Sequence, residues 1–195
     1  MLSYLTVFPS PIHRLFFSQV GEATGVLHNF IVEPFIPHAQ KEEGYICIYS
    51  KRDHDTILFT TEGGIDIGNV EDKAKVLTIP VGQEDSVNVT NVADKLLGDL
   101  DKAKHERVGK FISVLYQVYR RQYFTYLEIN PLVITDTAVY ILDFAAKLDS
   151  AADYIFAAER VGLEYPPPFG RDATDEEAKI RELDSKTGAS LKVRF

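Results

Sequence analysis

Residues 126–132 read Tyr126-Leu127-Glu128-Ile129-Asn130-Pro131-Leu132, and Val139-Tyr140-Ile141-Leu142-Asp143 follows one turn later. A two-residue turn at Asp136-Thr137 pairs Thr135 with Ala138. Counting back along both strands then sets Asn130 against Asp143. Opposed residues of an antiparallel pair project from one face, with Cβ atoms roughly 4.5–5.5 Å apart. An amide oxygen and a carboxylate at that spacing suit one Mg²⁺, which takes one or two protein ligands and completes its shell with phosphate and water. Asp-Thr is a weaker two-residue turn than Asn-Gly or Asp-Gly, which counts against this register.

In that register Leu132, Ile134, Val139 and Ile141 share the face of Asn130 and Asp143, and Val133, Tyr140 and Leu142 cover the other. A strand apolar on both faces is expected to be buried on both. An unpaired carboxylate there would be costly, so Asp143 calls for a cation. Two plainer readings stay open: an ion pair with Lys147, or a strand end beside water. By residue pattern alone, the plainer readings are the commoner outcome.

Composition narrows the setting. A chain of 195 residues suits one domain or two small lobes, and 45% hydrophobic residues with 12 Phe and 10 Tyr suffice for a core. A net charge of −8 and the lack of any basic stripe exclude nucleic acid as an expected partner. The single cysteine, Cys47, sits in the apolar run Tyr45-Ile46-Cys47-Ile48-Tyr49. It reads as a buried strand residue rather than a nucleophile, and it fits a reducing compartment. No apolar run reaches the ~18 residues needed to span a membrane. Met1 to Phe17 is apolar, but it has no basic start, and Pro9 and Pro11 interrupt it. It reads as irregular sequence rather than a signal peptide.

Further strands are expected at Phe30-Ile31-Val32-Glu33, stopped by Pro34, and at Tyr45–Tyr49 and Thr56–Thr60, joined as a hairpin. Glu62-Gly63-Gly64 breaks the chain; paired glycines let backbone N–H groups approach a ligand, although such a pair is more often only a turn. Residues 70–104 are polar and mixed, with a short helix near Val92 to Leu100. A longer helix spans about His105 to Arg121, where Val108, Phe111, Ile112, Leu115 and Tyr119 form one apolar stripe. Phe111→Asp is expected to unfold the protein. Strand Tyr123–Ile129 and the hairpin follow, then a helix from Ala151 to about Glu159. Tyr165-Pro166-Pro167-Pro168-Phe169-Gly170 is extended. Thr174-Asp175-Glu176-Glu177 is a capping box that opens a last helix ending before Gly188. This order is α+β.

Tyr123–Leu132, the Glu-Gly-Gly turn at 62–64 and Phe30-Ile31-Val32-Glu33-Pro34-Phe35-Ile36-Pro37-His38 together resemble the ATP-grasp region of the ATP-citrate lyase family. Pro166-Pro167-Pro168-Phe169-Gly170-Arg171 and Leu183–Lys192 strengthen the likeness. They also separate it from the succinyl-CoA synthetase β subunit, which shares the Glu-Ile-Asn-Pro-Leu and Glu-Gly-Gly elements. The resemblance runs from about Val20 to Lys192 and looks closer to the animal-type enzyme.

The resemblance implies an ATP-grasp lobe with a mainly antiparallel sheet flanked by helices, its strands near residues 30, 46, 58, 126, 134 and 140. Residues 1–19 would lie outside the family. Residues 20–160 would form the nucleotide- and Mg²⁺-binding lobe. Residues 161–195 would be a Pro-rich connector and short helix leading toward a citrate-binding region absent here. The implied reaction converts citrate, CoA and ATP to acetyl-CoA, oxaloacetate, ADP and phosphate, in a cytoplasmic setting. By position, Glu33, Pro34, Phe35 and Ile36 match the adenine hinge, and Glu43 matches the ribose carboxylate. Asn130 and Asp143 match the magnesium ligands, and Glu128 lies at the phosphoryl-transfer end of its strand. The family's phosphate-binding first lobe has no counterpart before Val20. None of His13, His28, His38, His54 and His105 has the glycine-rich setting of the family's phosphorylated histidine. The chain is therefore expected to be one piece of a longer enzyme, inactive alone, with full-length lyase subunits as partners. Two alternatives are a non-catalytic interaction protein that keeps the fold and a succinyl-CoA synthetase-like subunit.

Overall fold

The computed structural model describes residues 17–20, 23–26, 32–64, 70–156, 159 and 174–187. They fall into two units. The first comprises Met1–Phe35 with Val161–Phe195. In it β1 (Phe17–Val20) and β2 (Ala23–Val26) pair antiparallel, Phe17 opposite Val26. β1 begins inside the stretch whose sequence reads as irregular. Val32 and Glu33 carry no regular structure, so the expected strand does not extend over them, and Phe30 and Ile31 lie outside the described residues. The Pro-rich segment 165–170 also lies outside them. The C-terminal helix Asp175–Thr187 starts at the expected capping box. Thr174 N–H donates to Glu177 Oε2 at 3.0 Å, and Glu177 N–H donates to Thr174 Oγ1 at 3.3 Å.

The second unit spans Ile36–Arg160. It runs β3 (Glu43–Ser50), β4 (His54–Thr60), α1 (Val70–Lys73), β5 (Lys75–Pro80), α2 (Val89–Leu96), α3 (Lys102–Arg121), β6 (Phe124–Ile134), β7 (Val139–Ile141) and β8 (Phe144–Leu148). One six-stranded antiparallel sheet results, in the order β5-β4-β3-β6, with β7 and β8 both pairing along β6. This is the α+β arrangement the sequence suggests. Strand β5 is an addition within the stretch that reads as polar and mixed. Its alternating Leu77 and Ile79 are buried, while Val76 is exposed. Strands expected separately near 126 and 134 are one continuous β6. The helix expected at 151–159 is a three-ten turn, Ser150–Phe156.

Apolar stripes decide the layering. Ile46 and Ile48 of β3, Ile57 and Phe59 of β4, and Leu127 and Ile129 of β6 pack against Val92 and Leu96 of α2 and Val108, Ile112 and Tyr119 of α3. Period two on the strands and period 3.6 on the helices bring these side chains to one interface. Helix α3 begins earlier than the stripe suggests, because the Asp101 side chain accepts the Ala103 N–H at 3.0 Å and caps it. Phe111 is only half-buried at the rim, whereas Ile112 is fully buried. Ile112 is thus the residue on which the packing turns.

The hairpin register holds. Leu132 pairs with Ile141, Val133 with Tyr140 and Ile134 with Val139, and Asn130 N–H donates to the Asp143 carbonyl at 3.2 Å. The glycine-free turn is secured by side chains instead. Thr135 Oγ1 accepts from Ala138 N at 3.0 Å, Arg107 Nη2 donates to the Thr135 carbonyl at 2.8 Å, and Lys104 pairs with Asp136 at 3.0 Å.

Two expectations about this hairpin are corrected. Ile129 and Leu132 both belong to the helix-packed cluster although they lie three residues apart. Strict alternation therefore slips by one between them, where the β3–β6 pairing shifts register between Gly44 and Ile46. Asn130 consequently does not share the face of Leu132 and Ile134. Nor are both hairpin strands buried. Leu132, Val133 and Ile134 are, but β7 and β8 form the outer edge, where Ile141 and Phe144 are more than two-fifths exposed and Asp143 is exposed. Edge position places the Asp143 carboxylate in water, so burial does not force a cation on it.

Candidate functional site

Glu43 of β3 and Asn130 of β6 both meet the glycine turn between β4 and α1. Glu43, the first residue of β3, pairs with Val133 of β6. The turn at Gly63-Gly64 folds back against it. A Cβ on Gly63 would lie 2.2 Å from the Gly44 carbonyl oxygen, so only glycine fits. Gly64 takes φ +88°, a conformation natural only to glycine. A Cβ there would lie 2.4 Å from Glu43 Oε2. The pair forms a turn, and its N–H meets a protein side chain rather than a ligand. Gly64 N–H donates to Asn130 Oδ1 at 2.7 Å, and Asn130 Nδ2 lies 3.4 Å from the Gly64 carbonyl. Sixty-six residues apart in the chain, the two are reciprocally bonded.

These contacts imply a measurable order. Gly63→Ala is expected to destabilise by about 2–3 kcal/mol, since backbone atoms must move. Gly82→Ala, at φ +85° with nothing within 4 Å, should lose only about 1 kcal/mol of stability, through conformational strain. Chemical denaturation of both variants distinguishes them, and equal losses would contradict the close approach.

Asn130 Oδ1 uses one lone pair on Gly64 and keeps a second. Asp143 stands opposite it, exposed, with no side-chain partner among the described residues. Lys147, four residues on, lies over the Tyr126 ring at 5.6 Å rather than on Asp143. Of the open readings for Asp143, the strand-end carboxylate beside water describes its environment here. An amide oxygen and an accessible carboxylate are hard oxygen donors of the kind Mg²⁺ takes, and they fit it. Among the described residues no cluster of three or more His, Cys, Asp or Glu is arranged to hold a metal.

Glu128 belongs to a second group on the sheet face away from α3. Tyr45 and Tyr126 both donate to its Oε2, Tyr45 at 2.9 Å. Burial and the adjoining carboxylate push both phenols above their ordinary range. Cys47, paired with Glu128 across the strands, is buried, and burial raises its thiol. That suits a structural residue, not a nucleophile. Glu33, Pro34 and Phe35 are exposed in the first unit, Phe35 to 84%. Ile36 opens the second unit, and its carbonyl accepts from His38 Nδ1 at 2.7 Å. His38 also contacts Glu43, a link that the sequence reading missed. Its only signal was the five-residue separation from Glu43. A groove of about 1000 Å³ lined by Glu84, Asn88, Lys110, Tyr116, Gln117 and Arg120, among others, contains none of these site residues.

Comparison with known proteins identifies the family. The profile of the family described as the ATP-citrate synthase ATP-grasp domain matches residues 16–159. The ATP-citrate synthase of Bos taurus is 51% identical over 176 residues, covering 90% of this chain and 16% of that protein. The probable ATP-citrate synthase subunit 2 of Schizosaccharomyces pombe is 42% identical, covering 90% of this chain and 42% of the relative. Among solved structures, that of ATP citrate lyase from Methanothrix soehngenii in complex with citrate and coenzyme A superposes with a TM-score of 0.72 at 37% identity. It covers 90% of this chain and 40% of that one. The chain thus spans between 16% and 42% of these relatives' lengths.

Proposed function

The chain belongs to the ATP-citrate synthase ATP-grasp family, and on that premise we propose that it supplies the adenine, ribose and magnesium contacts of an ATP site working in citrate cleavage. The observation that carries this reading is the convergence of Asn130 with Gly64 and Glu43, with Asp143 opposite Asn130 in register. In this reading Asn130 and Asp143 hold Mg²⁺, which when bound offsets the charge of the triphosphate. Glu43 accepts hydrogen bonds from the ribose hydroxyls. Glu33, Pro34, Phe35 and Ile36 form the adenine hinge, and this assignment rests on the resemblance. Glu128 carries the phosphoryl-transfer end of β6. Its Oε2 is occupied by two phenols, which orient the carboxylate and leave Oε1 to meet an incoming group.

Phosphoryl transfer of this kind is mainly positioning and charge stabilisation, and cationic groups around the phosphates carry much of it. Citrate and CoA contacts are not assigned to these residues. The lobe is assigned to residues 20–160 and the connector to 161–195. The reading places the protein in the cytoplasm. No helix among the described residues is long and apolar enough to cross a membrane.

The 195-residue polypeptide alone is expected to bind Mg²⁺–ATP weakly. A complete ATP-grasp domain that adds two charge-assisted phosphate contacts to those assigned here should bind on the order of 10²–10⁴-fold more tightly. The polypeptide alone should form no oxaloacetate from citrate, CoA and ATP in a coupled assay. Turnover above the blank that Asp143→Asn abolishes would overturn the division of labour proposed here. Failure to detect any Mg²⁺-dependent ATP binding by calorimetry or ligand NMR would overturn the nucleotide site.

A further inference from the structure

His38 lies between the two nucleotide contacts assigned to the second unit, Ile36 and Glu43. Its Nδ1 is 2.7 Å from the Ile36 carbonyl oxygen, and its Nε2 is 3.2 Å from Glu43 Oε1. A carbonyl and a carboxylate are both acceptors. The ring can satisfy both at once only with a proton on each nitrogen, that is, as the imidazolium. Both side chains are well shielded, 14% and 19% exposed. Glu43's other oxygen, Oε2, lies against Gly64. The carboxylate is therefore bracketed between His38 and the glycine turn.

We propose that His38 is a positioning residue of the nucleotide site, whose imidazolium holds the Glu43 carboxylate in place for the ribose hydroxyls and offsets its charge toward the anionic nucleotide. The proposal rests on the reading of Glu43 as the ribose acceptor. Two effects act in the same direction. A carboxylate already fixed by a charged donor loses less rotamer freedom when the ribose binds. An uncompensated carboxylate would also repel the phosphates, and the adjacent cation cancels that repulsion at short range.

The charged groups acting on the ring are Glu43 and, more weakly, Glu42, whose own carboxylate is engaged by the Ala39 N–H at 2.8 Å. The bond to the Ile36 carbonyl raises the ring's pKa most, burial opposes it, and Glu43 adds to the rise. A raised histidine keeps its charge through the ordinary value near 6.5 and loses it as pH climbs through the higher one. The positioning effect is thus present at low pH and lost as pH rises.

The test is to titrate ATP and 2′,3′-dideoxy-ATP, each with Mg²⁺, into the 195-residue chain and into His38→Gln. It runs from about pH 6 to about pH 8.5, the range of histidine charge change, with ligand NMR so that weak binding is read. The unsubstituted chain should prefer ATP over the dideoxy analogue by about tenfold at low pH, and the preference should shrink as pH rises. His38→Gln, which keeps one donor and no charge, should bind ATP about tenfold more weakly at low pH, lose the pH-dependent preference for ATP, and bind the dideoxy analogue with a smaller loss that reflects the charge effect alone. Equal ATP preference and equal pH dependence in the two proteins would overturn the proposal. If the unsubstituted chain binds both nucleotides alike, or neither, the ribose reading of Glu43 fails, and the positioning role fails with it. Independently of any variant, ¹⁵N spectra of the unsubstituted chain should show both His38 nitrogens protonated at about pH 6. A neutral ring there would also overturn the proposal.

Discussion

Ile112→Asp is expected to lose its cooperative unfolding transition and behave as an unfolded chain. Ile112 is fully buried at the centre of the α3–sheet interface, within a cluster that takes side chains from β3, β4, β5, β6 and α2. Truncating such a residue alone costs about 2–5 kcal/mol through lost burial and a cavity. Aspartate adds a charge that must be desolvated among apolar side chains, which costs several kcal/mol more. A domain has only about 5–15 kcal/mol of stability in total. Phe111→Asp, one residue along at the half-buried rim, can rotate its carboxylate into water and should destabilise far less. Circular dichroism melts of the two variants decide it. A cooperatively melting Ile112→Asp protein would mean that α3 is not the keystone of this sheet.

Asp143→Asn is expected to remove Mg²⁺-dependent nucleotide binding while leaving the melt unchanged. The two effects separate because Asp143 is exposed on an edge strand and its backbone, not its side chain, pairs with Asn130. Surface substitutions of that kind shift stability by less than about 0.5 kcal/mol. Removing the charge of a cation ligand should do at least as much as losing an outer contact to a metal site, which already costs 10- to 100-fold or so in affinity. Asn130→Ala should match it in binding but not in stability. It also orphans the Gly64 N–H, and a lost hydrogen bond of that type contributes about 1 kcal/mol. Calorimetric titration of ATP with and without Mg²⁺ reads the first effect, and thermal melts read the second. Unchanged Mg²⁺ dependence in Asp143→Asn would remove Asp143 from the site.

Local pattern carried much of this protein. Residue counting across Asp136-Thr137 set Asn130 opposite Asp143, and the apolar spacing of Val108, Ile112, Leu115 and Tyr119 marked α3. Thr174 to Glu177 marked a helix start. Gly63 and Gly64 marked a turn. Each of these is a property of neighbours in the chain, set by the periods of helix and strand or by the steric demands of one residue. Tertiary structure decided the rest. Which face Asn130 takes depends on the shift in pairing between β3 and β6, and those strands are more than eighty residues apart, as the Tyr45–Glu128 bond shows. Whether Asp143 is buried depends on β7 and β8 lying at the sheet edge, because an apolar hairpin reads alike at the edge and at the centre. The partner that Gly64 approaches, and the bracketing of Glu43 by His38 and that glycine, likewise came from the fold. No period or local steric rule reports which distant backbone will close on a given turn.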